Sequence, residues 1–262
     1  MDLELRDKII LVTGGAKGIG LGIAQVLAGE GATPVIVGRS AADNAAATRA
    51  IEDAGGKVFA VEAELTQTEQ CRKAVAVAVE RFGRIDGLVN NAGINDGVGL
   101  EHGDSERFTL SLRRNLLHFY EMAHFALPEL KKTHGAIVNI GSKVAETGQG
   151  NTSAYAAANG GRNALTREWA VELAPYGIRV NAVIVAECWT PLYARWIETF
   201  PDPQAARRRI ESRIPFEKRM TRCAEIADTV AFLLSQRSSH TTGQLIHVDG
   251  GYVHLDRALR EA

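Results

Sequence analysis

The run Val12-Thr13-Gly14-Gly15-Ala16-Lys17-Gly18-Ile19-Gly20 joins a short Ile/Val-rich segment to a stretch with helical spacing. Glycine at such a corner lets the backbone double back. Glycine at the helix start lets an anionic group reach N–H groups that have no intrahelical partner, where the macrodipole also favours negative charge. Gly14, Gly18 and Gly20 therefore read as a cradle for the pyrophosphate of a dinucleotide, although their Gly-x-x-x-Gly-x-Gly spacing differs from the commoner Gly-x-Gly-x-x-Gly. A second chemistry is excluded early: Ile140-Gly141-Ser142-Lys143-Val144 does not fit the Gly-x-Ser-x-Gly elbow that presents an acyl-transfer nucleophile.

A dinucleotide loop needs a strand before it and a helix after it, and the periodicity supplies both repeatedly. Short apolar runs at 9–13, 33–37, 58–62, 87–90, 136–140, 179–185 and 245–248 mostly lack polar alternation, as expected of parallel strands covered on both faces. Helical spacing follows at 18–30, 43–54, 69–82, 104–131, 153–173, 192–210 and 224–234. With right-handed crossovers this predicts a doubly wound α/β three-layer sandwich around a seven-stranded parallel sheet. The chain reads as one domain, 1–262, with a substrate loop and helix inserted at about 186–215. Length and composition agree: 262 residues, 45% hydrophobic and 23% charged, suit one core. Thirty basic against thirty-one acidic residues leave a net charge of -1, which disfavours nucleic acid or an anionic membrane as partner. No apolar run approaches the roughly 18 residues of a spanning helix. The first residues lack the order of a signal peptide, so a cytoplasmic location is expected. Cys71, Cys188 and Cys223 are odd in number and lie far apart, which predicts neither a disulfide framework nor a metal site. Arg207, Arg208 and Arg209 read as a solvated helix face.

From here the sequence resembles the short-chain dehydrogenase/reductase family. Besides the glycine loop, the matching motifs are Asn90-Asn91-Ala92-Gly93, Asn115, Ser142, Tyr155, Thr242-Gly243 and Val248-Asp249-Gly250-Gly251, in family order over nearly the whole chain. The resemblance implies NAD(P)-dependent hydride transfer between an alcohol and a carbonyl. Such a reaction needs a proton moved at the oxygen while charge there is stabilised. By resemblance Tyr155 carries the proton, Ser142 holds the same oxygen, and Asn115 supports a water relay behind the site. The cofactor set implied with them is Gly14, Lys17, Gly18, Ile19, Gly20, Arg39, Glu64, Leu65, Asn91, Ala92, Gly93, Tyr155, Asn159, Cys188 and Thr190.

One family residue is missing. Four positions after its tyrosine the family carries a lysine on the same helix face, and this chain has Asn159. Free tyrosine titrates near about 10, so a lost shift of two units amounts to about 3 kcal/mol, roughly a hundredfold in rate where phenolate is the base. Three explanations stay open: a slow enzyme, a chain in which a parental lysine has been replaced, or a dinucleotide-binding protein without chemistry. Lys143, beside Ser142, is a possible cation from the other side of the site; its alternative reading is an exposed loop lysine. Val185-Ala186 also replaces the family's Pro-Gly, which predicts a less rigid loop.

The end of the second strand, Val37-Gly38-Arg39-Ser40, offers no acid for the adenosine ribose, and Lys17 with Arg39 looks like the pattern that accepts a 2′-phosphate. NADP is expected over NAD. Ligands of open α/β sheets bind beyond the strand carboxyl ends, where Asn95, Asp96, Lys143, Gln149, Asn151 and Glu187 form a polar set suited to a polyhydroxylated ligand. Trp189 and Tyr193 could wall a sugar ring or pack a mobile helix. Residues 91–97, 148–153, 186–193 and 248–257 are similar to L-fucose dehydrogenases within the family, which implies oxidation of a fucose-like aldose at C1. The alternatives are reduction of acyl-thioester or steroid ketones. Resemblance further implies a homotetramer packed through the helix from Ser153, a stripe that could equally only cover the sheet.

Overall fold

The computed structural model describes residues 2–255. Its strands are β1 (Ile9–Thr13), β2 (Thr33–Gly38), β3 (Phe59–Glu62), β4 (Gly87–Asn90), β5 (Ala136–Ser142), β6 (Arg179–Val185) and β7 (Leu245–Val248). All pair in parallel, in the order β3-β2-β1-β4-β5-β6-β7. The order reverses between β1 and β4, which opens a crevice at the carboxyl ends of these strands.

The helices are α1 (Gly18–Gly29), α2 (Ala41–Asp53), α3 (Thr68–Phe82), α4 (Ser105–Leu112), α5 (His118–Thr133), α6 (Ser153–Leu173), α7 (Pro191–Ile197), α8 (Pro203–Glu211) and α9 (Cys223–Leu234). One core, with Phe119, Met122 and Trp169, joins α3, α5 and α6 to one sheet face. On the other face Ile23 and Leu27 of α1 pack with Ile226 and Val230 of α9. Those two helices approach so closely that a Cβ on Gly22 would lie 2.8 Å from that of Cys223.

Two expected helices differ from their sequence reading. The helix expected over 104–131 is interrupted at Arg113–Leu117 by a π-turn, a widening that leaves carbonyls free for other donors. The helix expected over 192–210 is two helices. Phe200-Pro201-Asp202-Pro203 breaks it, because proline cannot donate to the helix ladder, and the Asp202 carboxylate then accepts from Ala205 N at 2.9 Å to cap α8. Arg207–Arg209 do form an exposed face, with Arg207 donating to Glu211 at 2.9 Å. Among the described residues no helix is long and apolar enough to cross a membrane.

Candidate active site

The glycine loop is fastened to β4 by hydrogen bonds. Thr13 Oγ1 accepts from Asn91 N at 2.8 Å and from Ala92 N at 3.1 Å, while Asn91 Nδ2 donates to the Thr13 carbonyl at 2.9 Å. Gly14 has φ +65°, and a Cβ on Gly20 would fall 2.2 Å from the Gly14 carbonyl oxygen, so no side chain fits there. Lys17 at the N-cap of α1 provides no side-chain cap. The result is bare backbone at an uncapped helix N-terminus, which fits a pyrophosphate.

The other residues expected around a dinucleotide lie beside this cradle or along β2 and β3. Thr190 stands over Gly18, 3.4 Å from the position of a Cβ there, and its hydroxyl accepts from Tyr193 N at 3.1 Å to cap α7. Ile19 packs against the core and Leu65 is buried. Cys188 is buried 3.8 Å from Cys223 Sγ; that contact and burial push its thiol well above the ordinary range, so it is an inert packing group. The two cations carry partners that the sequence reading did not weigh. Lys17 Nζ lies 2.7 Å from Asp43, and Arg39 lies 3.8 Å from Glu64, whose carboxylate also accepts from Thr66 N at 3.1 Å and its hydroxyl at 2.9 Å. Both basic side chains remain more than half exposed.

Ser142 ends β5, and its Oγ accepts a long 3.4 Å bond from Val144 N, leaving the hydroxyl hydrogen free to donate. Tyr155 sits half-buried in the first turn of α6. A buried polar chain fixes that helix: Asn90 Nδ2 donates to Asn139 at 3.1 Å, Asn139 Nδ2 to Thr166 Oγ1 at 3.0 Å, and Thr166 Oγ1 to the Arg162 carbonyl at 2.8 Å. Asn115 lies in the π-turn, fully buried, accepting from Ile94 N at 2.8 Å. Asn159 is also fully buried; its Nδ2 donates to the Tyr155 carbonyl at 2.9 Å and its Oδ1 accepts from Arg162 Nη1 at 3.1 Å.

Arg162 was not picked out by the sequence reading. Its Nε donates to the Asn115 carbonyl freed by the π-turn, at 2.7 Å, and its Nη1 to the Ile140 carbonyl at 3.1 Å. A usable signal existed: residues 155, 159 and 162 stand at i, i+4 and i+7, one stripe of a helix, and a cation lost from that stripe stands beside one gained.

Lys143 is not an exposed loop residue. It is 7% exposed, ion-paired and hydrogen-bonded to Glu187 Oε1, with its ammonium 4.0 Å from the Tyr252 ring centre. Glu187 Oε2 accepts from the Tyr193 hydroxyl at 2.7 Å. Of the expected substrate residues, Lys143, Glu187 and Tyr193 thus come together, Lys143 directly following Ser142 in the chain, whereas Asn95 and Gln149 are exposed in their loops. Trp189 lies under the Arg207 guanidinium at 4.2 Å, which ties it to α8. Burial and the Glu187 carboxylate push the Tyr193 hydroxyl above its ordinary range, so it stays protonated as a donor. A further cluster, absent from the sequence reading, brings donor atoms of Glu146, His247 and His254 within 4.8 Å of one another. Asp256 and Arg257, quoted in the terminal motif, lie outside the described residues.

The family model described as Enoyl-(Acyl carrier protein) reductase matches residues 14–253. An L-fucose dehydrogenase from Bos taurus is 36% identical over 252 residues, covering 96% of this chain and 91% of its own. A 3-oxoacyl-acyl-carrier-protein reductase from Thermotoga maritima is 36% identical over 253 residues, 96% of this chain and all of its own length. The crystal structure of Cj0485 dehydrogenase superposes with a TM-score of 0.95 at 44% identity, over 100% of both chains. With the glycine cradle, the strand order and the ordered motifs, these likenesses make the chain a member of the short-chain dehydrogenase/reductase family of oxidoreductases.

Proposed function

We propose that this chain is an NADP-dependent sugar dehydrogenase that oxidises a fucose-like aldose at C1 to the lactone. The observation that carries the reading is the Lys143–Glu187–Tyr193 cluster, whose buried Lys143 directly follows Ser142 in the chain. A sugar presents alternating donors and acceptors, and a pocket wall with a fixed carboxylate and ammonium rewards hydroxyls that meet them. An acyl chain or steroid offers those groups nothing to bond beyond the partners they already find in one another. Gly14, Gly18, Gly20 and Thr190 would hold the pyrophosphate, and Asn91, Ala92 and Gly93 the segment leading to the nicotinamide. When bound, the nicotinamide supplies the hydride acceptor for the sugar C1–H. Tyr155 takes the O1 proton, and Ser142 donates its free hydroxyl hydrogen to O1, so C=O forms while charge on that oxygen is held.

NADP is favoured because β2 ends at Gly38 and is followed by Arg39 with no acid, and because Lys17 and Arg39 are held by exposed ion pairs. Such pairs contribute little, and a dianionic phosphate competes well for either cation. Arg39→Ala is expected to weaken NADP binding about tenfold and NAD binding by less than about twofold, read by quenching of intrinsic fluorescence. Equal losses for both cofactors contradict the assignment.

The reading is tested by mixing the protein with NADP and a panel of aldoses that includes L-fucose, and following absorbance of the reduced nicotinamide. Turnover on aldoses is expected. A second reading, reduction of an acyl-thioester or steroid ketone, draws on the exposed apolar side chains of Leu192, Trp196 and Phe216. Adding such ketones with NADPH to the panel separates the two; turnover confined to them replaces the sugar reading.

A further inference from the structure

Arg162 carries a charge that the fold buries without an anion paired to it among the described residues. The residue is 3% exposed, and its hydrogen bonds run to neutral oxygens of Asn115, Ile140 and Asn159. Phe119 lies beneath it, ring centre 4.2 Å from the guanidinium carbon. Its last nitrogen, Nη2, is buried with no hydrogen-bond partner among the described residues. That atom faces Gly93, where a Cβ would come within 2.9 Å of it. The Tyr155 ring centre is 5.9 Å from the guanidinium carbon. Burial pulls the guanidinium down to about 10, and the Tyr155 hydroxyl acts on it in the opposite direction. A buried cation left open on one side attracts negative charge to that side.

We propose that Arg162 is the positioning cation of this site: it favours the phenolate of Tyr155 and replaces the lysine that the family carries at the position of Asn159. The inference rests on the reading of Tyr155 as proton carrier. Lys143 does not fill the role, because its charge is engaged by Glu187. Asn159 and Arg162 form a matched pair. The amide of Asn159 orients Nη1 and binds the Tyr155 carbonyl, whereas a lysine there would bring a second positive charge against a buried guanidinium. The direct bond from Arg162 Nε to the Asn115 carbonyl also ties the π-turn to the site without a bridging group.

The test measures tyrosinate absorbance against pH in the full chain, taking the part lost on Tyr155→Phe as the Tyr155 signal. In Arg162→Gln that signal is expected to develop at a pH higher by about one unit or more. In parallel kcat at neutral pH falls about ten- to a hundredfold and recovers as pH is raised. Asn159→Lys combined with Arg162→Gln returns both readouts toward those of the unaltered chain, while Asn159→Lys alone gives no gain. An unmoved Tyr155 signal and an unmoved pH–rate profile in Arg162→Gln overturn the assignment. Should Arg162→Gln fail to fold, Arg162→Lys and the double variant decide: a Tyr155 signal at the original pH in both supports the assignment, and one displaced upward in both contradicts it. The absorbance titration needs no sugar. An inactive aldose panel with a displaced titration therefore sinks only the functional reading, and turnover with an unmoved titration sinks only Arg162.

Discussion

Tyr155→Phe is expected to lower kcat by about a hundred- to ten-thousandfold while leaving the dissociation constant of the nicotinamide dinucleotide nearly unchanged. The phenylalanine keeps the ring that packs at the start of α6 and removes only the oxygen. With Ser142 still donating to the substrate oxygen, part of the charge stabilisation persists, so the residual rate exceeds that of free solution. Stopped-flow or steady-state absorbance of the reduced nicotinamide checks the rate, and fluorescence titration checks binding. A variant with most of its rate intact assigns the proton transfer to another group. Loss of dinucleotide binding would instead mean that Tyr155 is chiefly a binding residue.

Glu187→Ala is expected to have the largest effect on stability. Lys143 is enclosed, its side chain 8% exposed, and Glu187 is the anion that pairs with it. Truncating one partner of a buried pair leaves the other charged and desolvated, which costs about 3–5 kcal/mol, roughly ten degrees in Tm for a chain of this size. The Tyr193 hydroxyl loses its acceptor in the same step, so α7 is expected to loosen. Replacing both charges, as in Lys143→Met with Glu187→Leu, is expected to recover most of the stability, because no lone charge remains. Under the proposed sugar reading it is not expected to recover turnover, since the polar groups proposed to meet hydroxyls are gone. Calorimetry and steady-state kinetics on the same samples separate the two effects. An unchanged Tm in Glu187→Ala contradicts the buried pair.

The legible part of this protein is that set by local chemistry. Gly14, Gly18 and Gly20 announce a corner where backbone must meet an anion, and the apolar runs give the strands to within a residue or two. Partnerships across the fold are less legible. Nothing in Lys143 or Glu187 taken singly says that 44 residues apart they share a buried site. Lys17 and Arg39 read as free cations until Asp43 and Glu64 are found beside them. The break at Pro201 and Pro203 carried a local signal, proline twice in three residues, that the apolar periodicity overrode. The π-turn at Asn115 has no comparable local signature. Arg162 lies between these cases. The loss at position 159 was visible, but its compensation required knowing that the arginine is buried, its guanidinium carbon 5.9 Å from the Tyr155 ring centre, rather than exposed.

The proposed oxidation of an aldose at C1, with Tyr155 receiving the proton, can be followed through the fate of one hydrogen. An aldose deuterated at C1 is incubated with the protein and NADP, and the products are read by mass spectrometry. Deuterium is expected in the reduced nicotinamide and none in the lactone, with product formation slowed at least about a hundredfold when Tyr155→Phe replaces the parent chain. Deuterium retained in the sugar while the nicotinamide is reduced, or unlabelled reduced nicotinamide formed at an undiminished rate by the variant, would contradict it.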